Sequence, residues 1–216
     1  MLALSIASLG CGGGGSPQDG GGSSGYNISD YYPLRPGNTW TYVDESAQSV
    51  TLTALAISPL FPGQQVMHLH QDRSDGPWDG PWYDLYQTSD SSGLRWWGVK
   101  RLPPGGGAAE LIRFDPPLKV PNGMSIGETY QQEYVEIDPQ GISHQPAAPY
   151  SVTLEALDTV LVPAGTFADC LRFRDNWRRR WFPRDTGVVQ VGSPEVETGP
   201  YLFRLKSAIL QRRSHP

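Results

Sequence analysis

The chain has few charged residues and few of the side chains that usually carry catalysis or bind metals. Charged residues make up 18% of the 216, and there are 4 histidines and 2 cysteines. No nucleophile elbow, P-loop, dinucleotide-binding or zinc-protease motif occurs in the sequence. The net charge of −5 provides no general basic field, so we expect no nucleic-acid partner. We also expect no cofactor, no metal and no catalytic residue, with a hydrolase triad assembled from distant positions as an alternative.

The sequence also lacks a long apolar segment and a helical period. The N-terminal apolar run, Leu2 to Leu9, is far shorter than the about 20 residues that a membrane-spanning helix needs. No repeat at solenoid or propeller spacing is found. Instead, 25 glycines and 20 prolines separate short runs rich in β-branched and aromatic residues. This pattern predicts an all-β domain with long loops, built on a single antiparallel, strongly curved sheet of half-barrel, barrel-like or sandwich-like form.

The strand that ends at Val162 and the strand that follows it are the clearest pair in the sequence. Val152, Leu154, Val160 and Val162 recur at even spacing, which places them on one face of a strand. Pro163 ends the run because it has no N–H for a ladder, and Gly165 permits a tight corner. Beyond the corner, Leu171 and Phe173 face one way and Arg172 and Arg174 the other.

Other strands are predicted from the same alternation. A short strand from Glu110 to Phe114 should end at Asp115-Pro116-Pro117, and Thr129 to Ile137 should form one strand. The last strand, Tyr201 to Leu210, should direct Tyr201, Phe203, Leu205 and Ile209 toward the core.

The N-terminal segment resembles the signal peptide of bacterial lipoproteins. Residues 1–10 end at Gly10 before Cys11, and in that class the signal is cut before a cysteine that becomes acylated. The resemblance therefore implies lipidation at Cys11, including attachment of palmitate. Residues 11–25 continue as a flexible Gly/Ser linker, and residues 26–216 form the β domain. Gly12 offers no inner-membrane retention signal, so an outer-membrane location is expected.

Several blocks in the domain resemble a family of bacterial envelope lipoproteins. They are YYPLRPGNTWTY at Tyr31 to Tyr42, FDPPLKVPNGMSIGETY at Phe114 to Tyr130, VPAGTFADCLRFR at Val162 to Arg174, and WFPRDTGVV at Trp181 to Val189. The blocks occur in the family's order and span nearly the whole domain. The resemblance implies a mostly antiparallel β fold and an envelope location, and it implies no known activity.

An arginine-rich segment distinguishes this sequence from that family. Five arginines cluster around one predicted hairpin and form a candidate patch for an anionic partner: Arg172, Arg174, Arg178, Arg180 and Arg184. The patch could contact an anionic polymer, lipid headgroups or an envelope protein. The alternative is a solvated outer face whose arginines pair with acids such as Asp175 and Asp185.

Two further clusters and one cysteine have functional alternatives. His68 and His70 project from one side of a strand, which could begin a zinc site or be a solvated face. Asp72, Asp75, Asp79 and Asp84 could bind calcium, line a turn-rich loop, or bind a sugar beside Trp78 and Trp82. Cys170 is an unpaired thiol that is interpreted as a small buried hydrophobe rather than a redox or nucleophilic group.

These observations predict a membrane-anchored envelope lipoprotein with a non-catalytic binding or scaffolding role. The lipid anchor would make the membrane its first partner. The alternative function is a periplasmic carrier that holds an apolar or lipid ligand on the concave face of the sheet, lined by the abundant Trp, Tyr and Phe residues.

Overall fold

The computed structural model describes residues 25–72, 82–101, 107–195 and 201–211, with the backbone alone at residues 82, 83 and 201. One short 3-10 helix, Ile28–Asp30, precedes the strands. In the described part of the chain, no helix is long and apolar enough to cross a bilayer. The described residues form 14 strands: β1 Thr39–Asp44, β2 Ser49–Ile57, β3 Met67–Gln71, β4 Trp82–Asp90, β5 Gly93–Arg101, β6 Glu110–Pro121, β7 Thr129–Gln132, β8 Val135–Ile137, β9 Ser143–His144, β10 Tyr150–Val162, β11 Gly165–Asp175, β12 Arg179–Phe182, β13 Gln190–Gly192 and β14 Tyr201–Ile209.

These strands form one antiparallel sheet that is strongly curved but not closed. Its order is β7-β10-β11-β12-β13-β14-β1-β2-β3-β4-β5-β6-β8-β9. The two ends of the sheet approach each other. The Gln132 side-chain amide on β7, at one end, donates to the carbonyl oxygens of Pro116 (3.2 Å) and Pro117 (2.9 Å) on β6, near the other end. The predicted all-β fold with a strongly curved antiparallel sheet is confirmed.

The concave face of the sheet holds the hydrophobic core. Alternation in strands such as β1, β2 and β10 directs apolar side chains inward. The buried members include Trp40, Tyr42, Leu52, Leu154 and Phe173. Facing walls meet inside: the Trp96 and Tyr150 rings lie 6.0 Å apart, centroid to centroid, although β5 and β10 are not neighbours in the sheet. The concave face is therefore occupied by packed side chains over the described strands.

The predicted corner between the two long strands is confirmed. Val162 pairs with Gly165 across a two-residue turn at Pro163 and Ala164, and β10 pairs with β11 along its length. Gly165 has a φ of +134°, which a residue with a side chain rarely adopts. The hairpin thus has the register that brings the arginines of β11 beside the acids of β10.

Three strand predictions are wrong in instructive ways. The strand predicted to end before Pro116 instead continues through Pro116 and Pro117 to the end of β6. Both prolines lie where the β5–β6 ladder is interrupted, between Trp96 and Gly98 of β5, so no N–H is needed from them there. The predicted strand Thr129 to Ile137 is two strands at opposite ends of the sheet, β7 on β10 and β8 on β6.

The third correction concerns the end of β14. Phe203 and Leu205 are buried as predicted, but Ile209 is 66% exposed. The β1–β14 pairing skips Lys206, since Tyr42 pairs with Leu205 and Thr41 with Ser207. One extra residue in a strand reverses the alternation beyond it, and Ile209 turns outward.

Candidate functional site

The arginines of the predicted patch are divided between the two faces of the sheet. Cross-strand partners share a face, and the pairs Arg172–Trp181 and Arg174–Arg179 lie on the convex face of β11 and β12. Phe173 pairs with Arg180 on the concave face. Arg180 is 5% exposed, so its side chain is not part of a surface patch.

Glu155 is the centre of the convex arginine cluster. Its carboxylate accepts from Arg174 Nε at 2.7 Å and from Arg179 Nε at 2.8 Å, and Arg172 Nε lies 3.1 Å away. Burial would raise the pKa of Glu155, but the hydrogen bonds and charges of these arginines outweigh burial and hold the pKa below its ordinary value. The carboxylate stays charged at neutral pH and neutralises part of the cluster.

Asp158 extends this network toward β12. Its Oδ2 accepts hydrogen bonds from Arg172 Nη1 at 3.1 Å and from the Trp181 indole Nε1 at 2.7 Å. Three guanidinium groups therefore face two carboxylates across β10, β11 and β12. Most of the positive charge predicted for this surface is balanced by acids on the neighbouring strand.

Of the remaining two arginines of the predicted patch, Arg178 is half-buried and Arg184 is exposed. The Arg178 guanidinium donates to the Trp177 carbonyl oxygen at 3.3 Å. Arg184 is 64% exposed at its side chain, lies 3.8 Å from an Asp30 oxygen and stacks over the Tyr31 ring. These contacts anchor both side chains against the protein's own surface.

On the concave side, Arg180 forms a buried ion pair with Asp175. Both side chains are 6% exposed, and Arg180 Nη1 donates to Asp175 Oδ2. Asp175 Oδ1 also accepts from the backbone N–H groups of Trp177 and Arg178, each at 2.9 Å. One carboxylate therefore closes the β11–β12 turn and neutralises a charge inside the core.

His68 and His70, predicted to share a strand face, both contact one carboxylate. His68 Nε2 lies 2.9 Å and His70 Nδ1 2.8 Å from Asp84 Oδ1, and Lys100 Nζ lies 3.5 Å from Oδ2. Asp84 is on β4, directly opposite His70 on β3. The ring of His68 stacks on Tyr86 at 5.1 Å between centroids.

These side chains form a polar network around the Asp84 carboxylate. Among the described residues, no group of three or more His, Cys, Asp or Glu side chains is arranged to hold a metal ion. Asp72, the other described member of the predicted calcium series, instead accepts a hydrogen bond from the Thr51 N–H at 2.8 Å. Asp75, Asp79 and Trp78 lie outside the described residues, as does His215.

The environment of Asp84 predicts an acid-sensitive contribution to stability. Burial would raise the Asp84 pKa, but hydrogen bonds from His68 and His70 and the charges of His68 and Lys100 lower it to about 2. A carboxyl group whose folded pKa is depressed stabilises the fold above its unfolded pKa and loses that contribution as the pH falls toward the folded value.

We therefore expect Asp84→Asn to remove part of the acid dependence of stability. The difference in free energy of unfolding between the native chain and the variant should shrink by about 2 kcal/mol from about pH 5 to about pH 2. Urea denaturation at each pH would measure it. Asp72→Asn, on an exposed carboxylate, is the matched control, and an equal pH slope for both variants would contradict the expectation.

A pocket of about 450 Å³ lies where one end of the neighbouring strands β3, β4 and β5 meets the loop before β3. Its lining includes Leu34, Met67, Gln87, Ser89 and Arg95. Gln87 is fully buried, and neither its Oε1 nor its Nε2 has a hydrogen-bond partner among the described residues. The buried Ser89 hydroxyl is likewise without a partner in this part of the chain.

Cys170 is a buried thiol in the core cluster. Burial, with smaller contributions from Asp158 and Asp169, raises its pKa to about 12. Its Sγ donates to the Phe167 carbonyl oxygen at 3.4 Å. A thiol with this pKa is protonated at neutral pH and is a poor nucleophile, which agrees with its interpretation as a small hydrophobe.

Sequence reasoning identified some of these residues and missed others. The partnership of the two histidines followed from alternation, but Glu155 and Asp158 were not recognised as the partners of the arginines. Gln87 was missed as well. Its signal is a polar residue two positions after Leu85, on the face that alternation assigns to the core.

The predicted lipidation residue, Cys11, lies outside the described residues. Comparisons with protein-family models, with curated proteins and with solved structures each gave no match.

Proposed function

We propose that this chain is a bacterial envelope lipoprotein, tethered to the outer membrane through Cys11, whose β domain is a non-catalytic binding module. The observation that carries the proposal is the order of three segments: a short apolar leader ending in Gly10-Cys11, a Gly/Ser linker through residue 25, and a β domain. A flexible linker lets a folded domain sample the space above a membrane surface.

The attachment point of the linker supports this role. The Tyr26 N–H donates to the Met124 carbonyl oxygen at 2.7 Å, and its own carbonyl oxygen accepts from the Gly123 N–H at 2.9 Å. The chain is therefore hydrogen-bonded to the segment that follows β6 from Tyr26 onward. A tether that ends there leaves the folded β domain to move as one body above the membrane surface.

The lipid-carrier alternative is less well supported than a binding module. A lipid would need apolar space on the concave face, where Trp40, Tyr42, Tyr150 and Phe173 are packed together with the other core residues. Mass spectrometry of molecules that co-purify with the protein tests this alternative. Stoichiometric recovery of a fatty acid or phospholipid would favour the carrier over the binding module.

Metabolic labelling tests the anchor directly. In cells fed labelled palmitate, the native chain should incorporate label and fractionate with membranes, because multiple acyl chains anchor a protein durably. Cys11→Ser should lose the label and appear in the soluble fraction, whereas Cys170→Ser, the matched control at the other cysteine, should keep both. Equal labelling of the native chain and Cys11→Ser would refute the proposed anchor.

A further inference from the structure

The pocket beside Gln87 has the features of a ligand site rather than of a packing defect. Buried side-chain amides in native proteins almost always have hydrogen-bond partners, since a buried donor or acceptor without one destabilises the fold. Gln87 has two such atoms, and Ser89 adds a third two residues further along the same face of β4. An apolar residue at either position would fit the core better unless the polar atoms serve a ligand.

The shape and lining of the pocket suit a small, mostly uncharged ligand. Its volume, about 450 Å³, is within the range of known ligand sites. Leu34, Ile57 and Met67 supply an apolar wall. Among the described residues of the lining, the charged side chains are Asp90 and Arg95, which pair with each other at 3.1 Å. Ile57 is 43% exposed, so the pocket reaches the surface.

The geometry of a glutamine side chain narrows the ligand class. A primary amide presents one acceptor and one donor side by side on the same edge. A single residue of an extended peptide also presents its N–H and C=O on one edge, as in an antiparallel ladder. A secondary amide such as a sugar acetamide has a trans N–H and C=O that point in opposite directions, so it can satisfy only one of the two groups.

We propose that the pocket formed by Gln87, Ser89 and Met67 binds a short segment of extended peptide. The Gln87 amide pairs with the main-chain N–H and C=O of one peptide residue. Ser89, whose side chain follows on the same strand face, bonds the peptide further along, and an apolar side chain of the peptide packs against Leu34, Ile57 and Met67. The inference rests on the proposed binding function and not on the lipid anchor.

Binding should be measured on the full chain carrying Cys11→Ser, so that failure of the anchor proposal does not affect the result. The probe is the blocked dipeptide N-acetyl-Leu-Ala-amide, titrated by calorimetry and by NMR of methionine methyl groups. Only Met1, Met67 and Met124 contribute such signals. We expect saturable binding in the micromolar to millimolar range and a shift of the Met67 methyl signal.

Two glutamine variants provide the decisive comparison. Gln87→Met keeps the side-chain length but removes the amide, and it should weaken binding about tenfold or more. Gln140→Met is the matched control, because Gln140 is exposed between β8 and β9 and does not line the pocket, and its affinity should stay within about twofold. Equal affinities for both variants, or no binding of the peptide at millimolar concentration, would overturn the proposal.

A third measurement separates ligand classes and guards against misfolding. N-acetylglucosamine and glucose are titrated in parallel, and binding of either sugar that depends on Gln87 would replace the peptide assignment. Should Gln87→Met fail to fold, contacts between the leucine methyls of the peptide and the Met67 methyl in the unmutated pocket decide the question by NMR. Their absence at saturating peptide would count against the site.

Discussion

Asp175→Asn is expected to lower the free energy of unfolding by about 3 to 5 kcal/mol, because it leaves Arg180 as a buried charge without its carboxylate. Both side chains are 6% exposed, so solvent offers little compensation. Asparagine retains an oxygen that can accept from the N–H groups of Trp177 and Arg178, which hold the β11–β12 turn. The lost stability therefore measures the effect of the unpaired charge on Arg180 and not a disruption of the turn.

Urea denaturation followed by tryptophan fluorescence would measure this effect. Asp185→Asn is the matched control, since Asp185 is exposed and its φ of +56° suits asparagine as well. That variant should change stability by about 0.5 kcal/mol or less. Similar losses for the two variants would contradict a role for the buried pair.

A double variant separates the pair from its surroundings. Arg180→Met alone should also destabilise, because it leaves the Asp175 carboxylate buried without its main partner. Combining Asp175→Asn with Arg180→Met should be less harmful than the sum of the single changes, since no uncompensated charge then remains in the core. Additive losses would indicate that the two side chains act independently.

Trp40→Ala is the second change with a large expected effect, about 3 to 5 kcal/mol of stability. Trp40 is completely buried, and its indole Nε1 donates to the Thr186 carbonyl oxygen at 2.6 Å. Its ring lies 5.8 Å from that of Tyr32. Truncation would open a cavity between β1 and the loop before β13 and would leave a carbonyl oxygen without its donor.

Two further tryptophan variants test this account of Trp40. Trp177→Ala, at a residue that is 37% exposed, should cost no more than about half as much, because less apolar area is removed from contact. Trp40→Phe keeps most of the ring and should lose about 1 to 3 kcal/mol, the penalty for the unpaired carbonyl. Thermal and urea denaturation would rank the three variants, and equal losses at positions 40 and 177 would contradict the assignment.

Gly187 explains why the loop can approach Trp40 so closely. Its φ is +95°, and a Cβ at this position would lie 3.0 Å from Trp40 Nε1 and 3.0 Å from the Tyr32 ring. Both the backbone conformation and the space exclude a larger residue. The sequence block that contains Gly187 is thus explained by packing against the first strand.

The sequence predicted which residues of the candidate site share a strand face, but not which residues they contact. The shared face of His68 and His70 follows from the period of a strand, but their contact with Asp84 required the β3–β4 pairing. Alternation also placed Arg180 and Arg179 on opposite faces of their strand, yet it did not say which of the two would face the concave core. That depended on which face of β12 packs toward Tyr32 and Tyr150.

Local chemistry in the sequence determined the strands and the corner between the two longest ones. Alternating apolar residues, Pro163 and Gly165 act through neighbouring atoms, so their effect is readable from the sequence itself. Tertiary structure alone decided where the alternation shifts. Glu155 and Lys206 are skipped in the backbone pairing with the neighbouring strand, so the alternation of faces shifts at each of them. The predicted strand through residues 129–137 divides in two because its halves pair with opposite ends of the sheet. Cross-strand pairing is a contact between distant segments, and for that reason no local pattern specifies it.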